Sequence, residues 1–519
     1  MDPLGRLHMV LNYDTSTNPM SELNLGYSYD LLDRLTLVAR DPGGTWETKT
    51  TLEYDGLGRK SRMQDYDMGS WEYEYDEAGN LKVQRDALYL ANPTANAQHQ
   101  VFFEYDSMNR LTHKYYGRQH FDARAADVRY HYDNALGDAA TKKSWGRLRH
   151  AEVTPHAPGS KANGHGYEYD ARGLVVADVV TTSLATRSYR VAYAYDTGGR
   201  LASVTYPDLG AERVDVRYNQ MGTGLPQSLT SSIAGNPQPV YNALYNERGQ
   251  PLTLEQGSAG SNNLLTSSFT YDEASTKRGW LSRTQVSSNG GASTHLDLNL
   301  GYTADGNISS LKQLAGGTNS PVFTNTFGYD GFDRLRTATS SNSSIFPAES
   351  YSFDERLSRM ASRTIAGTSY SYTYGDPAHK DAPTAYRGNT YTYDAVGNQV
   401  TAPGQTRTFD AENRLVRIVQ GTTTSEFVYD ANGKRVLKSV TTSGVTKRTL
   451  YVGNLYEEEL TGAANPAYIS YYMLGGKPVG IRRANQASMN GQYRLVSDHL
   501  GSANLMLDTS TPPQVVERR

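Results

Sequence analysis

Asp498-His499 followed by Ser502 brings together the three residue types of a hydrolytic triad. A nucleophilic serine needs a sharp, exposed turn, however, and the sequence has no Gly-x-Ser-x-Gly elbow. Gly475-Gly476-Lys477 has the beginnings of a phosphate loop, but Pro478 follows where Ser or Thr would hold magnesium, so the segment reads as a hairpin turn. Asp305-Gly306-Asn307, and Asp430 with Asn432, resemble pieces of calcium loops without the full ligand ladder, and turn chemistry accounts for both. His150, His156 and His165 could converge on a metal, yet no Cys exists to complete a zinc site, and they read as solvated loop histidines. Glu457-Glu458-Glu459 reads as a solvated strand edge, because glycosidase carboxylates stand opposed across a cleft. No catalytic, cofactor-binding or metal-binding residue is assigned, no cofactor is expected, and the chain is not expected to be an enzyme.

What the sequence does repeat is a structural phrase. An alternating strand ends in Tyr-Asp, and two or three residues later come Gly or Asn, then Arg or Asn, then Leu. Copies run at Tyr29-Asp30, Tyr54-Asp55 with Gly58, Tyr75-Asp76 with Gly79, Tyr105-Asp106, and Tyr195-Asp196 with Gly199. They continue at Tyr329-Asp330, Tyr393-Asp394 with Gly397, Phe409-Asp410, and Tyr429-Asp430 with Gly433, with weaker copies at Tyr132, Tyr169, Tyr218, Tyr245, Tyr271, Tyr302 and Phe353. Trp71-Glu72-Tyr73-Glu74-Tyr75 and Tyr370-Ser371-Tyr372-Thr373-Tyr374 alternate with period two, which puts the aromatics on one face of a strand. Asp is expected to accept from backbone N–H groups just beyond it, Gly or Asn to supply the positive φ that reverses the chain, and Leu to open the return strand. One hairpin is marginal in water, so the copies must pair edge to edge into a long antiparallel sheet. Ser232 to Val240, Gly257 to Asn263, Ser287 to Thr294 and Ser340 to Pro347 read as loops between hairpins, and no helix of note is expected.

Composition agrees. Tyrosine occurs 39 times against 11 Phe and 4 Trp, and glycine 48 times, an amphipathic aromatic supply suited to many thin layers and not to one aliphatic core. The 51 basic and 54 acidic residues nearly cancel, to a net charge of −3, which gives no electrostatic footprint for a nucleic acid. No apolar window is long enough to span a membrane, and the first residues lack a secretion signal.

The Tyr-Asp…Gly-Arg-Leu phrase resembles that of the YD-repeat, or rearrangement-hotspot (RHS), family, which includes teneurins and the shells of bacterial polymorphic and insecticidal toxins. Two further segments strengthen the resemblance. Tyr471-Tyr472 with Gly475, Gly476, Pro478 and Gly480, then Asp498-His499-Leu500-Gly501-Ser502, is similar to the family's core-associated segment, and Tyr374-Gly375-Asp376-Pro377-Ala378-His379 to a variant repeat preceding it.

The resemblance implies an all-β fold of spiralling hairpins forming a hollow shell, incomplete here, with a repeat array over 1–440 and a core-associated segment over 441–519. It implies a structural role, enclosing a C-terminal effector, and a secreted or cell-surface location. The start at Met1-Asp2-Pro3-Leu4-Gly5-Arg6, a repeat with Met in place of Tyr, leads us to expect that the sequence is part of a longer natural protein. A second reading is an adhesive or glycan-binding surface module built on tyrosine faces, with a glycan or cell-surface receptor as partner.

Overall fold

The computed structural model describes all residues except 2, 15–20, 42–45, 118–125, 134–143, 155–161, 209, 219–223, 234–238, 273–277, 316–319, 355–356, 463–464, 487–488 and 519. The described residues hold 43 strands, in sheets of 17, 13 and 13. Every ladder is antiparallel and joins strands consecutive in sequence, so the chain is one long meander.

The expected continuous ladder is interrupted twice. The loop after Pro226–Ser231 reduces pairing there to a single bridge, Leu229 with Val240. Near residue 390 the strands Ala385–Tyr386, Asn389–Thr390 and Thr392–Tyr393 are two residues long, following a turn that contains Pro377 and Pro383. Among the described residues the one α-helix, Ala87–Ala91, is a single turn capped by the Asp86 side chain, which accepts from the Tyr89 N–H.

The meander winds back onto itself. Arg40 meets Asp381, Lys114 meets Glu412, His165 meets Asp430, Tyr189 meets Glu458, Glu212 meets Tyr472, and Gln256 meets Val479. Both sequences advance together along this line of contact. A flat sheet cannot do this; a strip coiled so that a second circuit lies on the first does.

The apolar core follows the same line. Val180, Tyr189, Val204 and Leu229 of the first circuit pack with Leu437, Leu450, Tyr456 and Tyr472 of the second. Leu265, Val286 and Leu296 pack with Val496, Leu505 and Leu507. Where one circuit covers a strand face of the other, burial alternates cleanly, as along Tyr468–Leu474; elsewhere, as along Glu47–Tyr54, most side chains are half-buried.

The whole chain exposes 26597 Å². A compact monomer of its 57.2 kDa would expose about 19,000 Å². The excess is that of a thin wall with two wet faces.

Candidate functional site: the repeat ladder and the seam

Each repeat turn is built by its aspartate. At Asp30 one carboxylate oxygen accepts from the N–H groups of Leu32 and Arg34, at 2.9 and 3.0 Å, while the other accepts from Arg34 Nε at 2.7 Å. Asp55, Asp106, Asp330 and Asp410 repeat this with Arg59, Arg110, Arg334 and Arg414. Asp196 does so with Arg200, and Asn80 and Asn398 replace the arginine at Asp76 and Asp394. Three residues after the aspartate the backbone turns left-handed. Gly58, Gly79, Gly199, Gly397 and Gly433 hold φ between 80° and 89° there, and Asp33, Asn109, Asp333 and Asn413 hold the same position near 60°.

The tyrosine joins one repeat to the next. It ends its strand just after a one-residue register shift, which re-aims the ring. Its hydroxyl then donates to the carbonyl that opens the preceding return strand. Tyr29 reaches Leu7, Tyr54 reaches Leu35, Tyr75 reaches Lys60, and Tyr105 reaches Leu81. Tyr195 reaches Val175, Tyr329 reaches Ile308, Tyr393 reaches Pro383, and Tyr429 reaches Leu415, all eight bonds spanning 2.7 to 3.0 Å. The weaker copies Tyr169, Tyr218, Tyr245, Tyr271 and Tyr302 make the same bond. The arginine of one turn lies over the tyrosine of the next, as Arg34 over Tyr54 at 4.8 Å and Arg59 over Tyr75 at 4.7 Å. Aspartate therefore shapes the turn and aims the arginine, while tyrosine and arginine couple neighbours. The sequence showed the arginine's periodicity but not this task.

Between circuits runs a seam of paired charges. Asp381 accepts from Arg40 at 2.8 Å, Tyr66 at 2.5 Å and Lys49 at 3.3 Å. Burial alone would raise its pKa, but Tyr66 and Arg40 bring it below the ordinary carboxylate range. Glu412 accepts from Lys114 at 2.5 Å and Tyr116 at 3.0 Å, and is likewise held low, against burial, by Lys114 and Arg414. Glu458 binds the Tyr189 and Tyr456 hydroxyls, each at 2.7 Å, and Arg187. Tyr468 and Tyr472 donate to Asp208 and Glu212, which share Arg482. Buried charge is tolerated only when so paired.

His165 lies between the two circuits. It contacts Asp178 of its own circuit and, at 2.7 Å, the repeat aspartate Asp430 of the next. Burial disfavours its charge, but both carboxylates favour it more, and its pKa is pushed up to about 9. His165 is thus buried on the strand Asn163–Tyr169 and not a solvated loop histidine. His150 also lies on a strand, Leu148–Val153, opposite Gly166, and so faces away from His165. The two do not converge, and His156 lies outside the described residues. Among the described residues no group of His, Asp or Glu has a metal-holding arrangement.

The glutamate run is also corrected. Glu458 is buried, because the strand Tyr456–Glu459 alternates and turns Tyr456 and Glu458 toward the first circuit. No local signal in the sequence marks this, since Arg187 and Tyr189 of the first circuit lie about 270 residues away. Gly475-Gly476 form a two-residue turn with φ of 57° and 81°, closing Tyr468–Leu474 on Lys477–Ala484. Pro478 sits at the register shift opposite Met473. Asp498 accepts from the N–H groups of Leu500 and Ser502, with Gly501 at φ 90°, so Asp498-His499-Leu500-Gly501-Ser502 is one more repeat-type turn.

A repeat that shapes its own turn, a tyrosine link from copy to copy and a charged seam between circuits together define a coiled β-hairpin wall. A family model described as Teneurin YD-shell matches residues 247–515, and the chain belongs to that family. Among solved structures, a TcdB2-TccC3 crystal structure superposes with a TM-score of 0.77 at 15% identity, covering 98% of this chain and 28% of that one. TcdB2-TccC3 without its hypervariable C-terminal region gives 0.78 at 15% identity, covering 99% and 27%. A Photorhabdus luminescens Tc holotoxin pore gives 0.73 at 15%, covering 97% and 26%. At such identity the likeness is one of fold, and this chain spans about a quarter of the matched chains. No curated protein matches the sequence. Among the described residues no helix is long and apolar enough to cross a membrane.

Proposed function

We propose that this chain is part of the wall of a container that encloses a polypeptide effector. The observation that carries the reading is the coil itself: a sheet one layer thick, closed circuit to circuit by the seam, with far more surface than a globule of its mass. Such a wall separates two aqueous spaces without needing a reactive group of its own. One matched structure is described as a Tc holotoxin pore, and another as lacking a hypervariable C-terminal region. A comparable polypeptide is the partner this reading implies, and export or surface display the location. The segment from 441 onward then closes the wall that 1–440 begins.

The test is the native product in its source cells, detected with an antibody against the repeats and treated with protease. The reading expects a second, smaller polypeptide that co-purifies with the wall and survives digestion until the wall is unfolded. A product of about 57.2 kDa with no protected companion would refute it.

A further inference from the structure

The cations drawn into the seam have carboxylates to face: Arg40 meets Asp381, and Arg482 meets Asp208 and Glu212. Arg494 does not. It is 3% exposed, and among the described residues it is the one arginine whose Nη1 and Nη2 are both buried with no acceptor in hydrogen-bonding reach. Asp508 acts on it only from a distance and is spent on its own turn, accepting from the Ser510 and Gln514 N–H groups. Burial pushes the Arg494 pKa down to about 10, as expected of a guanidinium drawn out of water. Arg494 lies on the strand Gly491–Ser497, opposite Gly480 and Leu507. Its surroundings there are dry, since Val496, Leu505 and Leu507 pack against Leu265, Val286 and Leu296. Across the seam, loop 257–263 of the first circuit passes over the guanidinium. A Cβ on Gly257 would stand 2.7 Å from Nη2 and 3.0 Å from the Asn263 carbonyl oxygen, so the glycine is what leaves the fork its place. Ser258, Ala259 and Gly260 are exposed, which puts solvent one loop away. The neighbourhood is positive as well: burial, Arg494 and Arg518 together hold the His295 pKa down, and Arg518 donates to the His295 carbonyl at 3.2 Å.

We propose that Arg494 anchors a binding site for a small oxoanion of the phosphate or sulfate type, two of whose oxygens take the Nη1 and Nη2 donors. A planar fork of parallel N–H groups matches two oxygens of one anion, and in dry surroundings it grips them far more strongly than it would in water. A halide offers a single acceptor and leaves half the fork unused. The bound anion supplies the negative charge that carboxylates supply elsewhere along the seam, and so ties the strand Gly491–Ser497 to the circuit beside it. The inference goes beyond the proposed function and does not depend on what the wall encloses.

The test uses the whole chain, dialysed exhaustively into chloride buffer, with inorganic phosphate as the probe. The phosphorus NMR signal of the phosphate should broaden in the presence of the protein and sharpen again when sulfate is added. The melting temperature should rise by about 2 °C at roughly a hundred times the half-saturating phosphate concentration. That rise is counted over and above the one Arg494→Met shows, which reports the general effect of phosphate on burial. Methionine fills the site without a charge, so Arg494→Met should melt no lower than the unsubstituted protein in chloride. Arg494→Lys keeps the charge but loses the fork, and should retain only a small part of the phosphate increment. Equal increments in the unsubstituted protein and Arg494→Met would overturn the proposal, as would an unbroadened phosphorus signal or an increment that chloride reproduces at the same ionic strength. A methionine variant melting well below the unsubstituted protein in chloride would show that the protein itself satisfies Arg494, and would overturn it too.

Discussion

His165 Nδ1 stands 2.7 Å from the carboxylate of Asp430, across 265 residues of chain. The repeat aspartate that shapes a turn in one circuit is thereby held by a histidine of the circuit beside it. Asp430 still caps its own turn, accepting from Asn432 and Lys434, so one side chain serves both the local hairpin and the coil.

That arrangement makes the seam sensitive to alkali. A histidine whose pKa is raised to about 9 contributes stability that is complete below its ordinary value near 6.5 and is lost as pH rises through 9. Asp178 and Asp430 face it, Tyr167 stacks on it at 4.8 Å, and His150 lies on the adjoining strand. His165→Gln leaves two carboxylates without their cation and should cost about 3–5 kcal/mol at neutral pH. Melting temperatures measured from pH 6 to 10 should converge for the two proteins at the alkaline end; a constant gap would show that the imidazolium is not the source.

The acid limit belongs to other residues. Asp381 and Glu412 have depressed pKa values, so what they add is present above the ordinary carboxylate range and is lost as pH falls through their folded values. Asp381→Asn combined with Glu412→Gln should flatten the acid side of the melting profile and leave the alkaline side as it is.

Gly79 separates backbone strain from crowding. It holds φ 89°, and a Cβ there would meet nothing within 4 Å. Gly79→Val should cost about 1–3 kcal/mol through the backbone alone. Gly79→Asn should cost clearly less, because Asn109 and Asn413 already occupy that turn position at φ near 60°. Equal losses in denaturant titrations would contradict this assignment. Gly69 adds crowding to strain: it holds φ 69°, and a Cβ there would also come within 2.6 Å of the Ala395 carbonyl oxygen, so Gly69→Ala should loosen the seam as well as strain the turn.

The tyrosine link is tested at Tyr75. Its hydroxyl donates to the Lys60 carbonyl at 2.8 Å, and Tyr75→Phe should cost about 0.5–1.5 kcal/mol. The ring is half-buried, so Tyr75→Ala should cost clearly less than the roughly 3–5 kcal/mol of truncating a fully buried aromatic. Hydrogen exchange at the Lys60–Asp65 strand should quicken in both variants; protection unchanged in Tyr75→Phe would sever the hydroxyl from the coupling.

The hairpins were legible because everything that makes them is local. Tyr75, Asp76 and Gly79 sit within five positions, and period-two alternation, Asx capping and positive φ can each be read from neighbouring residues. The seam was not legible. Glu458 sits in a run of three glutamates that looks solvated, and His165 looks like a loop histidine, until the coil brings Tyr189 and Asp430 to them from about 270 residues away. The aspartate-histidine-serine group at 498–502 offers catalytic residue types, but the missing nucleophile elbow already set that reading aside, and the backbone makes a capped turn there.

Small-angle X-ray scattering of the purified chain tests the coiled wall most directly. A compact globule of 519 residues would have a radius of gyration of about 24 Å. The account predicts a value clearly above that, with a pair-distance distribution shifted toward long distances, as mass placed in a wall requires. A radius near 24 Å with a symmetric distribution would contradict it.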